Sequence, residues 1–242
     1  MLVDPDGMQI DPASQNDWNK HKADVTQKYN QVIGSIGQAA LGMMLGRGSG
    51  GANLQELGIS ATSLKETLGG MAKLEDPNNA QVHSIDDNNC SVCVTHMDKS
   101  GAVVIPTNGG STDAFVHEVT HGIQFEKNQL AFIKGTSNSI NSYSNAVHAY
   151  KSQAAYGGFS GLGGINPKVP VVSSFSQINK SFVKGIPNVY NGLAETSISP
   201  NMSGPDIVKA FPSMSNWGIK SNETLRSVLS GSAGGSSIKW RR

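Results

Sequence analysis

Residues 116–122 read Val-His-Glu-Val-Thr-His-Gly, and this H-E-x-x-H segment constrains the chain more tightly than any other stretch. Two histidines four apart on a helix project from the same face about one turn and ~6 Å apart, which suits two nitrogens meeting one metal ion. Glu118 follows His117 directly. A carboxylate there is too close along the helix to be a third ligand, but it reaches a water in the metal's open position and can take its proton. The pattern therefore predicts a helix, Zn2+ held by His117 and His121, and hydrolysis with Glu118 as the catalytic base. The plainer reading, two helix-surface histidines, has to be weighed against the flanks.

The flanks favour the metal. Gly109-Gly110-Ser111-Thr112-Asp113 is a loop that ends in helix-capping residues, and Phe115, Val119 and Ile123 then recur at i, i+4 and i+8 as a core stripe. His117 and His121 fall on a neighbouring face, which the chemistry needs open to a cleft. Upstream, residues 101–106 (Gly-Ala-Val-Val-Ile-Pro) form an apolar run closed by proline, which predicts an edge strand. An extended peptide substrate would pair with such an edge.

A catalytic zinc takes three protein ligands and keeps one position open. One histidine remains downstream, His148, within residues 142–156, a run without proline or glycine that predicts a second helix ending at Gly157. His148 is the candidate third ligand. Glu126 competes with it but would have to reach back along its own helix, and Glu195 and Glu223 are more distant alternatives. Attack on an amide also builds charge on the carbonyl oxygen, for which Tyr150 and Tyr156 are the nearest candidate donors. Most tyrosines in such segments simply pack.

Two places in the chain resemble a known family. Leu2-Val3-Asp4-Pro5-Asp6-Gly7-Met8 looks like the end of the core of Rhs/YD-repeat proteins, where a polymorphic carboxy-terminal toxin domain begins. The chain from Trp18-Asn19-Lys20-His21-Lys22 through the H-E-x-x-H and His148 segments to Asn201-Met202-Ser203-Gly204-Pro205-Asp206-Ile207-Val208 resembles the zinc metallopeptidase toxin domains attached to such cores. In many relatives the second helix carries Glu-x-Asp-Ala-Tyr. Here Ala146 stands at the glutamate position and His148 at the aspartate position. The resemblance implies a toxin secreted, or delivered into a target cell through a secretion apparatus, with a parent Rhs core and a cognate immunity protein as partners. It implies the boundaries 1–12 for a core-junction remnant, 13–229 for the toxin domain and 230–242 for a flexible tail.

The remaining sequence narrows the alternatives. With 19 basic and 18 acidic residues the net charge is +1, so the basic field of a nucleic-acid binder is absent. The least polar stretch, residues 32–45, contains Gln38 and several glycines and falls short of the ~20 residues that span a bilayer. No cationic region followed by an apolar core opens the chain, so no cleavable secretion signal is read there. Cys90 and Cys93 form Cys-x-x-Cys. They read as small turn residues or a local disulfide, although His83 or His96 would have to join them for a structural zinc site. The glycine-rich residues 157–164 lack the Gly-Lys-Ser/Thr ending of a phosphate loop and read as a mobile loop near the cleft.

Helical character is expected at 16–45, broken near Gly34 and Gly37, and at 52–74, with short strands at 82–85 and 91–95 and a polar, loop-rich last third ending in a frayed terminus. Together these readings predict an α+β, zincin-like fold with a small, partly antiparallel sheet packed on the H-E-x-x-H helix. The expected function is a zinc metallopeptidase acting on protein or peptide. Two alternatives stay open: a zinc-dependent amidase or deamidase acting on cell-wall peptide, and a non-catalytic zinc-stabilised binding module of a surface protein.

Overall fold

The computed structural model describes residues 9–46, 51–88, 94–164, 169–186, 192–230 and 238–240. The Asp-Pro-Asp-Gly junction, Cys90, Cys93 and most of the tail at 231–237 lie outside them. The described chain is α+β: seven α-helices, short 3-10 turns and two three-stranded sheets among the described residues.

Helix α1 (Gln15–Met44) follows a 3-10 turn whose first amide is capped by the Asp11 carboxylate. Its buried residues, Trp18, His21, Val25 and Val32, recur at helical spacing and form one inward stripe. Gly34 and Gly37 do not break it. Interior glycine costs about 1 kcal/mol against alanine but imposes no kink, and α1 runs on through both positions along α2 (Gly51–Leu74). On α2, Leu64, Thr67, Met71 and Leu74 are buried at three- and four-residue spacing. Glu75, just beyond α2, accepts from the Trp18 indole and the Lys22 ammonium, which ties the two helices at one end.

The first sheet joins β1 (His83–Asp86), β2 (His96–Met97) and β3 (Val103–Pro106) in the order β1-β3-β2, parallel on one side and antiparallel on the other. The apolar run expected as an edge strand is thus the central one, and the substrate-pairing edge read from it is corrected. Proline is tolerated because alternate amides face opposite neighbours. Val103 and Thr107 donate toward β1, to the carbonyls of Val82 and Asp86, while β2 reaches only Val103 and Val104. The Pro106 nitrogen therefore faces no strand partner. Of the strand expected at 91–95, only Val94 and Thr95 are described, and neither is in a strand.

Val103 and Ile105 point their buried side chains toward α3 (Thr112–Glu126), which is packed between β3, α2 and α4 (Tyr143–Gly157). This sandwich is the main core. A second apolar cluster unites Ala131, Ala194, Ile207, Phe211, Leu225 and Trp240. It lies beneath the antiparallel sheet β5-β4-β6, made of β4 (Ala131–Ile133), β5 (Ser139–Ile140) and β6 (Ile238–Lys239), and draws on the last two helices, α6 (Gly204–Ala210) and α7 (Leu225–Ser230). Between α4 and α6 in sequence, the short α5 (Lys180–Lys184) packs on α4.

Both ends of the described chain are tied into the fold. Ile10 is buried and bridges His83, and the Asp11 amide donates to the His83 carbonyl, which ties this segment to β1. At the other end β6 pairs with β4 and Trp240 is 8 % exposed, so 238–240 are anchored by a ladder and an indole. Among the described residues no helix is long and apolar enough to cross a membrane.

Candidate metal centre

Helix α3 starts where Ser111, in extended conformation, turns its hydroxyl back to the Ala114 amide, and Asp113 adds an acidic group to the first turn. Phe115, Val119 and Ile123 form the core stripe expected of them. The opposite face is not open. Residues 114–125 are all buried, with His117 and Glu118 each 3 % exposed and His121 8 %. The expected solvent-facing side of the helix is covered because α2, β3 and α4 pack around it, and because the chain at Thr95 closes over Glu118.

The His117 and His121 rings lie 5.2 Å apart, centroid to centroid, with their planes at 74°. Two imidazoles bound to one tetrahedral zinc through nitrogens at about 2.0–2.1 Å would place their centroids about 5 Å apart. The pair has that spacing. His117 Nδ1 is 3.1 Å from Gln153 Oε1 on α4, and His121 Nδ1 is 2.8 Å from Gln124 Oε1, one turn further along α3. Neither Nε2 has a hydrogen-bond partner among the described residues. The residues present fit a metal bound by two imidazoles.

Burial makes the pair easy to keep neutral. It lowers the pKa of His117 to about 3, with the charge of His121 adding to the shift and the Gln153 hydrogen bond opposing it. It lowers that of His121 to about 4, with Gln124 opposing and His148 adding. Burial acts in the other sense on Glu118, whose pKa is pushed up to about 7 against two hydrogen bonds from Thr95. The Thr95 amide lies 2.7 Å and its hydroxyl 2.9 Å from Glu118 Oε2.

His148 lies on α4 as expected, close enough for its charge to act on His121. Its Nε2 is paired with Glu66 Oε2 of α2 at 3.4 Å, and its side chain is 37 % exposed. Among the described residues no three His, Cys, Asp or Glu side chains stand close enough to hold an ion, so the third ligand is not assembled with the pair. Ala146, half a turn before His148 on the same helix, is buried and offers no donor atom.

The other candidates are dispersed. Glu126 lies at the end of α3, with Oε1 3.7 Å from His83 Nε2. Glu195 pairs with Lys180 and Lys184, and Glu223 accepts from the Lys220 amide. Tyr150 is 2 % exposed and meets His117 edge-on at 4.5 Å, with Phe182 on its other side. Tyr156 is not brought to the histidines. It lies near Thr112 at the start of α3, whose hydroxyl contacts His21 (2.9 Å) and Asp24 (2.8 Å).

Sequence reasoning missed four residues near the site: Thr95, Gln124, Gln153 and Glu66. Gln124 has a local signal, since i+3 from His121 puts it on the same face. The others arrive from elsewhere in the chain. The glycine-rich stretch after α4 is also not a loose loop where described. Gly158 ends the helix at a positive φ of 73°, a 3-10 turn at Phe159–Gly164 follows, and Gly161 O accepts from Gln153 Nε2. The chain matches no protein-family profile, no curated protein and no solved structure.

Proposed function

We propose that the chain is a zinc-dependent metallopeptidase of zincin-like fold, with His117 and His121 as ligands, His148 as the third, and Glu118 as the catalytic base. The observation that carries this reading is the pair of imidazoles on α3, 5.2 Å apart with their Nδ1 atoms engaged, and a carboxylate on a residue between them. When bound, zinc would lower the pKa of water to about 7 and polarise a peptide carbonyl.

The chain's own groups do the rest. Thr95 fixes Glu118 Oε2, which leaves Oε1 to receive a proton from the attacking water and return it to the departing amine. Tyr150, packed against His117, is the donor candidate for the carbonyl oxygen. For His148 to serve as ligand its ring has to exchange Glu66 for the metal. The resemblance to Rhs-associated toxin domains supports a role as an interbacterial effector, secreted or delivered into a target cell and neutralised in the producer by an immunity protein.

A second reading, the non-catalytic zinc-stabilised module, is favoured by one specific observation: the covering of His117, Glu118 and His121 on all sides of α3. Cleavage of a denatured protein by the zinc-loaded chain, compared with Glu118→Ala, separates the two. The peptidase reading expects turnover that falls at least about a thousandfold in Glu118→Ala with zinc retained. Turnover that survives the substitution overturns Glu118 as base, and no turnover with zinc held by four protein groups establishes the module.

A further inference from the structure

We propose that Gln153 and Gln124 are positioning residues that make Nε2 the metal-binding atom of both histidines, and that each must be a glutamine. The proposal rests on the zinc reading of His117 and His121 and adds what decides their tautomers.

Two main-chain carbonyls decide how the glutamine amides are oriented. Gln153 is fully buried on α4, and its Nε2 lies 3.1 Å from the carbonyl oxygen of Gly161. A carbonyl only accepts, so the NH2 end of the amide must face Gly161 and the oxygen end must face His117. That oxygen, 3.1 Å from His117 Nδ1, also only accepts. The proton is therefore on Nδ1, and a neutral imidazole with Nδ1–H presents its lone pair at Nε2.

The second histidine is fixed in the same way by different residues. Gln124, 1 % exposed, donates from Nε2 to the carbonyl of Asn145 at 3.0 Å and turns Oε1 to His121 Nδ1 at 2.8 Å. Two separate backbone carbonyls thus set the tautomers of two histidines one turn apart. Both chains of contacts end in α4 or in the turn after it, so α4 shapes the centre independently of His148.

Only an amide satisfies both ends. A glutamate at 153 or 124 would accept from the histidine but would set an oxygen against the main-chain oxygen, with no proton between them unless it were neutral. A leucine would leave the Nδ1–H and the carbonyl without partners in a buried site. Hydrogen-bonded groups behind metal-bound histidines typically contribute about 10- to 100-fold to metal affinity.

The test uses the full chain in two measurements. Long-range 1H–15N correlation on the metal-free protein reads the tautomer directly, and the expected result is Nδ1–H at both His117 and His121. An Nε2–H form at either ring overturns the proposal, whatever the variants do. Competition with a chromophoric chelator then gives zinc affinity for the unaltered chain and for Gln153→Leu, Gln153→Glu, Gln124→Leu and Gln124→Glu. A weakening of roughly 10- to 100-fold is expected in each. Equal affinity in folded Leu and Glu variants overturns the proposal alone, whereas no zinc binding by the unaltered chain overturns the reading on which it rests.

Discussion

Thr95 holds Glu118 twice by one atom: its amide at 2.7 Å and its hydroxyl at 2.9 Å both reach Oε2, and the same hydroxyl lies 2.8 Å from the Glu118 main-chain oxygen. A residue 23 positions upstream thereby fixes the carboxylate that the proposed reaction uses. Thr95→Val keeps the amide and removes the hydroxyl. The expected outcome is kcat about tenfold lower with zinc content unchanged, and stability lower by about 1 kcal/mol. Steady-state cleavage of a denatured protein and urea unfolding check the two parts. Unchanged values in both would mean that the hydroxyl contributes nothing to holding Glu118.

The buried titratable groups give the metal-free protein a pH dependence whose sign can be worked out. His117 and His121 have folded pKa values of about 3 and about 4, depressed from 6.5. Their contribution is present above pH 6.5 and is lost as pH falls below it toward the folded values. Glu118, raised from 4.5 to about 7, acts oppositely: its contribution is present below pH 4.5 and is lost as pH rises through 7. Glu118→Gln removes the second effect. With a chelator present, the urea midpoint of Glu118→Gln is expected to climb from about pH 4 to 6.5 and then level. Its margin over the unaltered chain is expected to grow between pH 4.5 and 7. A flat profile in Glu118→Gln would contradict the buried, neutral histidines.

Helices α2 and α3 meet at Gly70, where an added Cβ would lie 2.3 Å from Ile123 Cδ1 and 2.6 Å from Cγ1. Gly70→Ala is expected to destabilise the chain by about 1–3 kcal/mol through overpacking, despite the better helix propensity of alanine. Ile123→Val removes the nearest atom, so the double variant should recover part of the loss. A double-mutant cycle by chemical denaturation reads the coupling, and strictly additive effects would place the two residues out of contact.

Trp240 closes the second cluster from the far end of the sequence, and its indole Nε1 is buried with no hydrogen-bond partner among the described residues. Trp240→Ala should cost about 3 kcal/mol, as for other large buried aromatics. Trp240→Phe keeps most of the apolar area and removes the unpaired donor, so its cost should be well under half as large. Guanidinium melts of the two variants test this. Equal losses, or none, would show that the end of the chain is not part of the core.

How much of the fold is legible in the sequence depends on how local each signal is. The α3 and α4 helices are legible because their caps, Ser111 and Ser142, and their apolar stripes lie within a few residues of one another. The helix character of α1 is legible too, but the glycines read as breakers only lower helix propensity, and the helix runs on through both. The central place of β3 is hidden because proline marks only which amide is missing, not which neighbours a strand has.

The site divides in the same way. His117, Glu118 and His121 stand in little more than one turn, and their type and spacing declare them. Gln153 and Thr95 act through contacts 36 and 23 residues away in sequence, for which no spacing rule exists. Pairing of β6 with β4 depends on a separation of about a hundred residues and leaves no local trace. The absence of proline and glycine places His148 on the right helix. Its ion pair with Glu66 depends on how α2 packs against α4, which periodicity does not encode.

The central claim is that one zinc ion sits between His117 and His121. It is tested most directly by the metal content and zinc affinity of the full chain, purified without added chelator, beside His117→Gln and His121→Gln. The expected result is about one zinc per chain, with affinity at least about a hundredfold weaker in either variant. A chain that binds no stoichiometric zinc, or that binds it equally well after both imidazoles are replaced, would contradict it.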